Sequence, residues 1–507
     1  MRSVTSDPIE RFLAQEGPKL STDVTAHLCS VLGISEAAAR QRVSRAKYPV
    51  KRLGLITFPK RARFLYLEQQ FGSPYYWRNL KAALSKNNTA YGYALTALLV
   101  RDGVCLEKYF PIICGSPTRQ KGHLSSAVVM DRMLQAGLLK RERYDGLDLI
   151  TLARNEGEVG YSAEQLFGLI AAESILLDAI KGWLQKLNFV SYNSVRTRDD
   201  DVLPMVATYP WDLSAPSYLH PLLGGKSADG VKPGFWVCDV LLGSVSQQCA
   251  EVFLRKIQTF RSLRTVAPTV HMIVAEQYTG TAFKLLKSSG VVVATVKTLF
   301  GLGAAEALRK TAIALSDSLR GKVDAEELAS VLNEMEAFQG NVGNLRGVFF
   351  ELLIRDVVRA TSVGSPVIYL GFSARISKTI EADVDVLTYG PNSDLRCIEA
   401  KAYNPRHTLS DDEVDRWITH NIPTVYKYIQ GHPEWRKSKI TFEMWTTAPL
   451  TSNAMSKVEA FQLKNSKRYS VIVKQADEVS AEFKLAKDKK LIQLLKQHFL
   501  KDRPDQT

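Results

Sequence analysis

Between Ile380 and Tyr403 the chain reads IEADVDVLTYGPNSDLRCIEAKAY, which places acids and one lysine where two adjacent strands can present them to a metal ion. Glu381, Asp383 and Asp385 alternate with Ala382, Val384 and Val386, so in a strand the carboxylates share one face and the apolar side chains the other. Glu399 and Lys401 share a face of the following segment. Gly390, Pro391, Asn392 and Asp394 between them are turn residues, which predicts a hairpin that brings both acidic faces together. Hard cations such as Mg2+ or Mn2+ take carboxylate oxygen and keep several waters. An Asp and a Glu fourteen residues apart on paired strands therefore suffice to hold one beside a phosphate. A neighbouring ammonium offsets the charge that builds up during in-line displacement or orients the attacking water. Asp385 is favoured as the partner of Glu399 because Val386 and Leu387 continue the strand after it, with Asp383 as the substitute. Alternating charges are ordinarily only a solvated face. In CIEAKA, however, two charges sit in an otherwise apolar run, and charge is costly to bury unless it serves a site.

These groups need a sheet and helices to position them. Upstream, NLRGVFFELLIRDVVRA from Asn344 to Ala360 is helical by pattern, with Leu345, Val348, Phe349, Leu352 and Leu353 on one side and Glu351 beside them. Downstream, Leu409 to Gln430 reads as a helix, ITFEMWTTAP from Ile440 as a buried strand, SNAMSKVEAFQL as a helix and YSVIVKQA from Tyr469 as a strand. The pattern from Asp385 to Glu399-Ala400-Lys401 resembles the signature of the PD-(D/E)xK, or restriction-endonuclease-like, nuclease superfamily, without the family's leading proline. That resemblance implies an α-β-β-β-α-β core and Mg2+- or Mn2+-dependent hydrolysis of DNA phosphodiesters. It also implies a metal held by Asp385 and Glu399, with Lys401 beside the attacking water and Glu351 on the first core helix as a further group at the metal.

The rest of the chain fits a soluble, multidomain protein that meets a polyanion. At 507 residues there is room for several cores; 45% hydrophobic and 23% charged residues are ordinary for globular chains. Six cysteines without a C-x-x-C pair and eight scattered histidines offer neither a disulfide scaffold nor a zinc site. No apolar span, secretory leader or nucleotide-binding loop is evident, so the expectation is a cytoplasmic protein with no membrane anchor and no ATPase activity of its own. The net charge of +14 is concentrated: from Glu36 to Arg63 nine Lys or Arg face a single acid.

That basic segment lies in a pattern that resembles a winged helix-turn-helix. Helices are predicted from Ile9, from Ser21 to Leu32, and from an N-cap at Ser35 to about Lys47, followed by LGLITFPKRARFLYL as a hairpin with Pro59-Lys60-Arg61 at its tip. Arg40, Gln41, Ser44, Arg45 and Lys47 form a donor stripe for the major groove of double-stranded DNA, and Lys60, Arg61 and Arg63 a phosphate-touching wing. A solvated basic face is the plainer alternative. A second such unit is predicted from the helix at Tyr91 to Val100, a helix ending at Gly137 and strands flanking Tyr144-Asp145-Gly146, with DNA and protein contacts both open.

From about Tyr161 to Leu302 the strand and helix order repeats that of the C-terminal region. Here the strand carries Asp239 with Leu241 in place of Glu and Lys, and Asp212 is the available upstream acid, so this copy is expected to be a degenerate nuclease-like domain used for DNA holding, packing or dimerisation, with an unrelated α/β domain as the plainer alternative. Amphipathic helices are predicted at Ala304 to Leu319 and Asp324 to Phe338, and a lysine-rich one from Ala481. The resulting division is 1-80 and 81-160 as winged helices, 161-305 as the degenerate α/β domain, 306-475 as the catalytic α/β domain and 476-507 as a terminal helix. The expected function is a DNA endonuclease, a type associated with bacterial defence, restriction and mobile elements, acting alone, as a homodimer or with an activating partner. A non-catalytic DNA-binding regulator is the rival reading.

Overall fold

The computed structural model describes residues 7–500, apart from 88, 145–146, 154–162, 220–225, 228–229, 264–265, 320–342, 363, 365, 378–379, 391–393 and 404–407. The helix expected over Asp324 to Phe338, the turn residues Pro391 and Asn392 and the tip residues Asp145 and Gly146 fall outside the described residues. The chain is a mixed α/β multidomain protein. It divides into two compact units, one of Met1–Glu142, Leu149–Ser162 and Lys181–Thr295, the other of Arg143–Asp148, Ala163–Ile180 and Val296–Thr507.

In the first unit, α1 (Pro8–Glu16), α2 (Ser21–Leu32) and α3 (Glu36–Arg45) pack on a small sheet ordered β1 (Lys19–Leu20), β3 (Phe64–Leu67), β2 (Val50–Arg52). Local chemistry sets the helix ends. Asp7 caps α1 ahead of Pro8, Ser35 accepts from Ala38 N at the start of α3, and Gly33 ends α2 in the left-handed conformation at φ 63°. Ile9, Leu13, Val24, Leu28, Ala39, Val43 and Leu65 form the core of this layer. Next come α4 (Pro74–Lys86), α5 (Ala90–Val100), β4 (Val104–Leu106), α6 (Phe110–Ile113), α7 (Ser126–Gln135), β5 (Leu139–Tyr144) and β6 (Leu147–Leu152), the strands ordered β4-β6-β5. Gly92 lets α5 close on α4, since a Cβ there would meet Leu84 at 2.9 Å.

After α8 (Ala163–Lys186) the first unit continues with β7 (Arg196–Thr197), the short pair β8 (Met205–Val206) and β9 (Tyr209–Pro210), β10 (Leu213–Ser217), and the pair β11 (Lys226–Ser227) and β12 (Gly230–Val231). It ends in β13 (Gly234–Val245), α9 (Gln247–Arg261), β14 (Thr269–Tyr278), α10 (Gly280–Ser288) and β15 (Val292–Thr295). The principal sheet runs β7-β10-β13-β14-β15, antiparallel as far as β13 and parallel beyond it. The near-continuous apolar run of β13 is what a strand covered on both faces requires.

The second unit holds α11 (Val296–Phe300), α12 (Leu302–Leu319) and α13 (Gly343–Thr361), followed by β16 (Val367–Ser377), β17 (Ile380–Tyr389), β18 (Asp394–Lys401), α14 (Asp411–Arg416), α15 (Ile422–Gly431), β19 (Lys439–Thr446), α16 (Ser452–Asn465) and β20 (Ser470–Lys474). Its sheet runs β16-β17-β18-β19-β20, the first three antiparallel and the last three parallel. The two five-stranded sheets thus share order and direction. The helix expected over Leu409 to Gln430 is broken by a π turn at Trp417–Asn421, just before Pro423, which has no N–H for the regular ladder. The single terminal helix expected from Ala481 is instead α17 (Ala476–Leu485) and α18 (Lys489–Leu495), parted by Lys487 at φ 55°. Its apolar residues Phe483, Leu491, Leu494, Leu495 and Phe499 are buried, and Phe499 stacks near Phe350 of α13, so this stripe belongs to the core of its own unit. Among the described residues no helix is long and apolar enough to cross a membrane.

Candidate metal centre and nucleic-acid interface

The hairpin ladder of β17 and β18 runs from Tyr389 opposite Leu395 to Val386 opposite Ile398, and there it stops. The next opposed pair is Asp385 and Glu399. In place of a ladder bond, Asp385 Oδ2 accepts the Ala400 N–H at 2.7 Å, which fixes the carboxylate at the point where the strands part. Lys401 Nζ lies 2.8 Å from Glu399 Oε1. Glu351 joins them from α13, which packs against β16, β17 and β18. Asp383 is exposed on the same strand and is the weakest of the charges acting on Asp385. Glu381, the third acid of the alternation, is turned to Arg375 at 2.6 Å. The side chains of Leu345, Val348 and Phe349 fall outside the described residues, whereas Leu352 and Leu353 are buried as expected.

Burial and mutual repulsion act together here. Asp385 is pushed up to about 7, first by burial and then by Glu399, with Lys401 and the Ala400 N–H opposing. Glu351 is held well above the carboxylate range by burial, then by Asp385, against the opposing pull of Lys401. Burial lowers the Lys401 ammonium's pKa, but Glu399 and Asp385 outweigh it and hold it above the usual lysine range. With all three carboxyl groups ionised against one ammonium the centre would lack two positive charges, which a divalent cation would supply. Among the described residues no group of three or more acids, histidines or cysteines is placed to hold a metal ion. An ion that keeps several waters does not need one. Asp385 and Glu399 offer the carboxylate oxygen that Mg2+ and Mn2+ prefer.

One register step from Glu399, β19 carries Glu443, which sequence reasoning overlooked. Arg396 Nε at 2.5 Å, Lys474 Nζ at 2.9 Å and Trp445 Nε1 at 2.9 Å surround its buried carboxylate. Burial would raise its pKa, but these donors, Arg396 foremost, bring it down to about 2. Because the folded value lies below the unfolded one, the stabilisation is complete above pH 4.5 and is lost as pH falls from there towards 2. It amounts to something on the order of 3 kcal/mol. Glu443→Gln should lower stability at neutral pH and flatten this acid limb in a circular-dichroism titration; matching acid transitions in the two proteins would rule the network out as a stabiliser.

The middle sheet repeats the Asp385 geometry. Its β10–β13 ladder ends with Leu213 opposite Cys238, which places Asp212 opposite Asp239, and Asp212 Oδ2 accepts the Val240 N–H at 2.8 Å. Asp212, Asp239, Val240 and Leu241 thereby match Asp385, Glu399, Ala400 and Lys401 position for position. Leu241 stands where the strand lysine would be, as the sequence reads, but an amine reaches this centre from a helix. Lys256 from α9 brings its Nζ to 2.6 Å from Asp239 Oδ2, and Arg198 Nη1 lies 3.1 Å from Asp212 Oδ1. A signal existed: Lys256 interrupts the stripe Phe253, Ile257, Phe260, where a helix buried on that side calls for another apolar residue.

The basic N-terminal layer presents a groove of about 1300 Å³. Arg40 and Ser44 of α3 line it together with Lys60, Arg61 and Arg63. Gln41, Arg45 and Lys47 are exposed but do not line it, and Lys47 lies past the end of α3. Arg52, which the sequence left without a role, donates to the carbonyls of Val43, Ser44 and Ala46 at 2.8, 3.0 and 2.9 Å and so closes the C-terminal end of α3. Lys60 and Arg61 both hold left-handed backbone, at φ 56° and 57°. Two successive side-chain-bearing residues in that region are strained, and the strain sits where two cations project. Compared with known proteins, the chain matches no family model and no curated protein sequence.

Proposed function

We propose that this chain is a divalent-metal-dependent DNA endonuclease whose N-terminal basic groove holds duplex DNA and whose second unit hydrolyses a phosphodiester. The observation that carries the reading is the meeting of Asp385, Glu399, Glu351 and Lys401 at the open end of the β17–β18 ladder. The motif's resemblance to the PD-(D/E)xK superfamily and the helix, three-strand, helix, strand order around it support the same conclusion. So does the winged-helix resemblance of the N-terminal layer, with Arg40, Ser44, Lys60, Arg61 and Arg63 on one concave face.

Asp385 and Glu399 would hold the metal, with Glu351 beside it and Asp383 further out. When bound, Mg2+ or Mn2+ supplies electrophilic stabilisation of the phosphoryl oxygens and a more acidic water. Lys401 has a narrower task than its general-base chemistry allows. Its neighbours keep it protonated, so it acts as a fixed cation and hydrogen-bond donor that orients the nucleophile and offsets developing negative charge. Asp385, held by the Ala400 N–H, is placed without side-chain freedom to spare.

The test is cleavage of supercoiled plasmid across a Mg2+ titration, with duplex RNA run alongside. The expected outcome is Mg2+-dependent cutting of DNA that Lys401→Ala reduces by roughly 10²–10³-fold while DNA binding in a mobility-shift assay is kept. Equal inertness of both proteins would leave a DNA-binding regulator, and preferential RNA cutting would move the substrate class.

A further inference from the structure

The geometry points to Arg198 and Lys256 taking, in the middle sheet, the place of a divalent cation, and to this filled centre being the seat on which the chain's own segment Glu107–Ile113 docks. The inference builds on reading Asp385 and Glu399 as metal ligands, because the two centres are compared position by position.

Charge separates them. Around Asp385, three carboxylates face one ammonium; around Asp212, two carboxylates face a guanidinium and an ammonium, and the sum is neutral. Arg198 bonds Asp212 Oδ1, while Oδ2 is taken by the Val240 N–H, so both oxygens of the acid equivalent to Asp385 have a donor already. Asp239 is committed likewise. Its Oδ1 accepts from Asp212 N at 3.2 Å and its Oδ2 from Lys256. With every oxygen of both carboxylates already accepting from a donor and their charges balanced, no surplus negative charge recruits a cation, and a buried charge stripped of its partner is strongly disfavoured.

Access separates them as well. Arg198, Asp212 and Lys256 are 3%, 1% and 2% exposed. The cavity beside them is about 50 Å³, room for a water or two and not for a phosphodiester. What covers the centre is the segment after β4. Lys256 donates to Ile112 O at 3.2 Å, the Tyr109 ring lies 4.6 Å from the Arg198 guanidinium carbon, and the Tyr109 hydroxyl donates to Asp199 at 3.0 Å. The lysine that would face a phosphate in a hydrolytic centre instead holds a backbone carbonyl. On this account the middle domain has become a metal-independent anchor that fixes the second helical layer in place.

The test uses the full chain with Asp385→Asn and Glu399→Gln, so that the C-terminal centre takes up no ion, and reads bound Mn2+ per chain by equilibrium dialysis. This parent should hold no Mn2+ that depends on Asp212. Adding Arg198→Met should create about one equivalent of Mn2+ binding, abolished again by Asp212→Asn, because an unpaired buried carboxylate then needs a cation. The inference is overturned if the parent itself binds Mn2+ that Asp212→Asn removes, or if Arg198→Met stays folded and binds none. The first of these outcomes needs no change at Arg198, so it decides even where that variant does not fold. Loss of one equivalent between the unaltered chain and the parent reports separately on the C-terminal centre. As a second measurement, Tyr109→Ala should raise amide exchange in Phe110–Cys114 by about tenfold or more without changing Mn2+ uptake; unchanged exchange would overturn the docking role.

Discussion

Asp385→Asn should abolish DNA cleavage, by at least about 10³-fold, and at the same time stabilise the metal-free protein. The two effects have one cause. Asp385 is crowded by Glu399 and largely withdrawn from water, and its folded pKa of about 7 stands well above the ordinary 3.8. A carboxyl that binds its proton more tightly when folded destabilises the fold once ionised. That cost is fully present above pH 7 and fades as pH falls from 7 towards 4, reaching at most about 4 kcal/mol. Asparagine keeps an oxygen for the Ala400 N–H and discards the charge. Thermal unfolding in EDTA should therefore show wild type gaining more stability between pH 8 and pH 5 than the variant does. Mg2+ or Mn2+ at neutral pH should raise the wild-type midpoint and leave that of Asp385→Asn nearly unmoved. Cleavage that survives the substitution, or a metal effect of equal size in both proteins, would dismiss Asp385 as a ligand.

Replacing both left-handed residues of the Pro59–Arg61 turn, Lys60→Gly with Arg61→Gly, should weaken duplex DNA binding by roughly 10–100-fold near 0.1 M salt and lower the slope of log K against log salt by about 2. Most charge substitutions that weaken binding also invite the objection of misfolding. This one does not, because both positions hold left-handed backbone that glycine adopts freely. Relief of that strain should raise stability by about 1 kcal/mol or more, less the added flexibility of the unfolded chain. A higher melting midpoint together with a flatter salt dependence would establish that these cations meet phosphates. Unchanged affinity would remove this turn from the interface and leave Arg40 and Ser44 as the contacts to examine. Binding is to be measured by fluorescence anisotropy over a salt series, on one duplex and its scrambled counterpart, since phosphate contacts act on both alike.

Much of this protein can be read from short-range sequence alone. The period-2 alternation from Glu381 to Val386 and the turn residues after it define the β17–β18 hairpin, and Glu399 and Lys401 then fall on one face with no knowledge of the rest of the chain. Ser35 and Gly33 mark helix ends for equally local reasons. Tertiary structure decided the remainder. Glu381 leaves the acidic row because Arg375 on β16 claims it, and Glu443 becomes a strong acid because Arg396 and Lys474 reach it from the two flanking strands. The middle centre was missed for the same reason: its amine comes from a helix and its guanidinium from a strand edge, seventeen and fourteen residues from the acids they meet. A motif confined to adjacent strands has a fixed spacing, whereas partners delivered by different elements become neighbours only after the sheet has chosen its order and register.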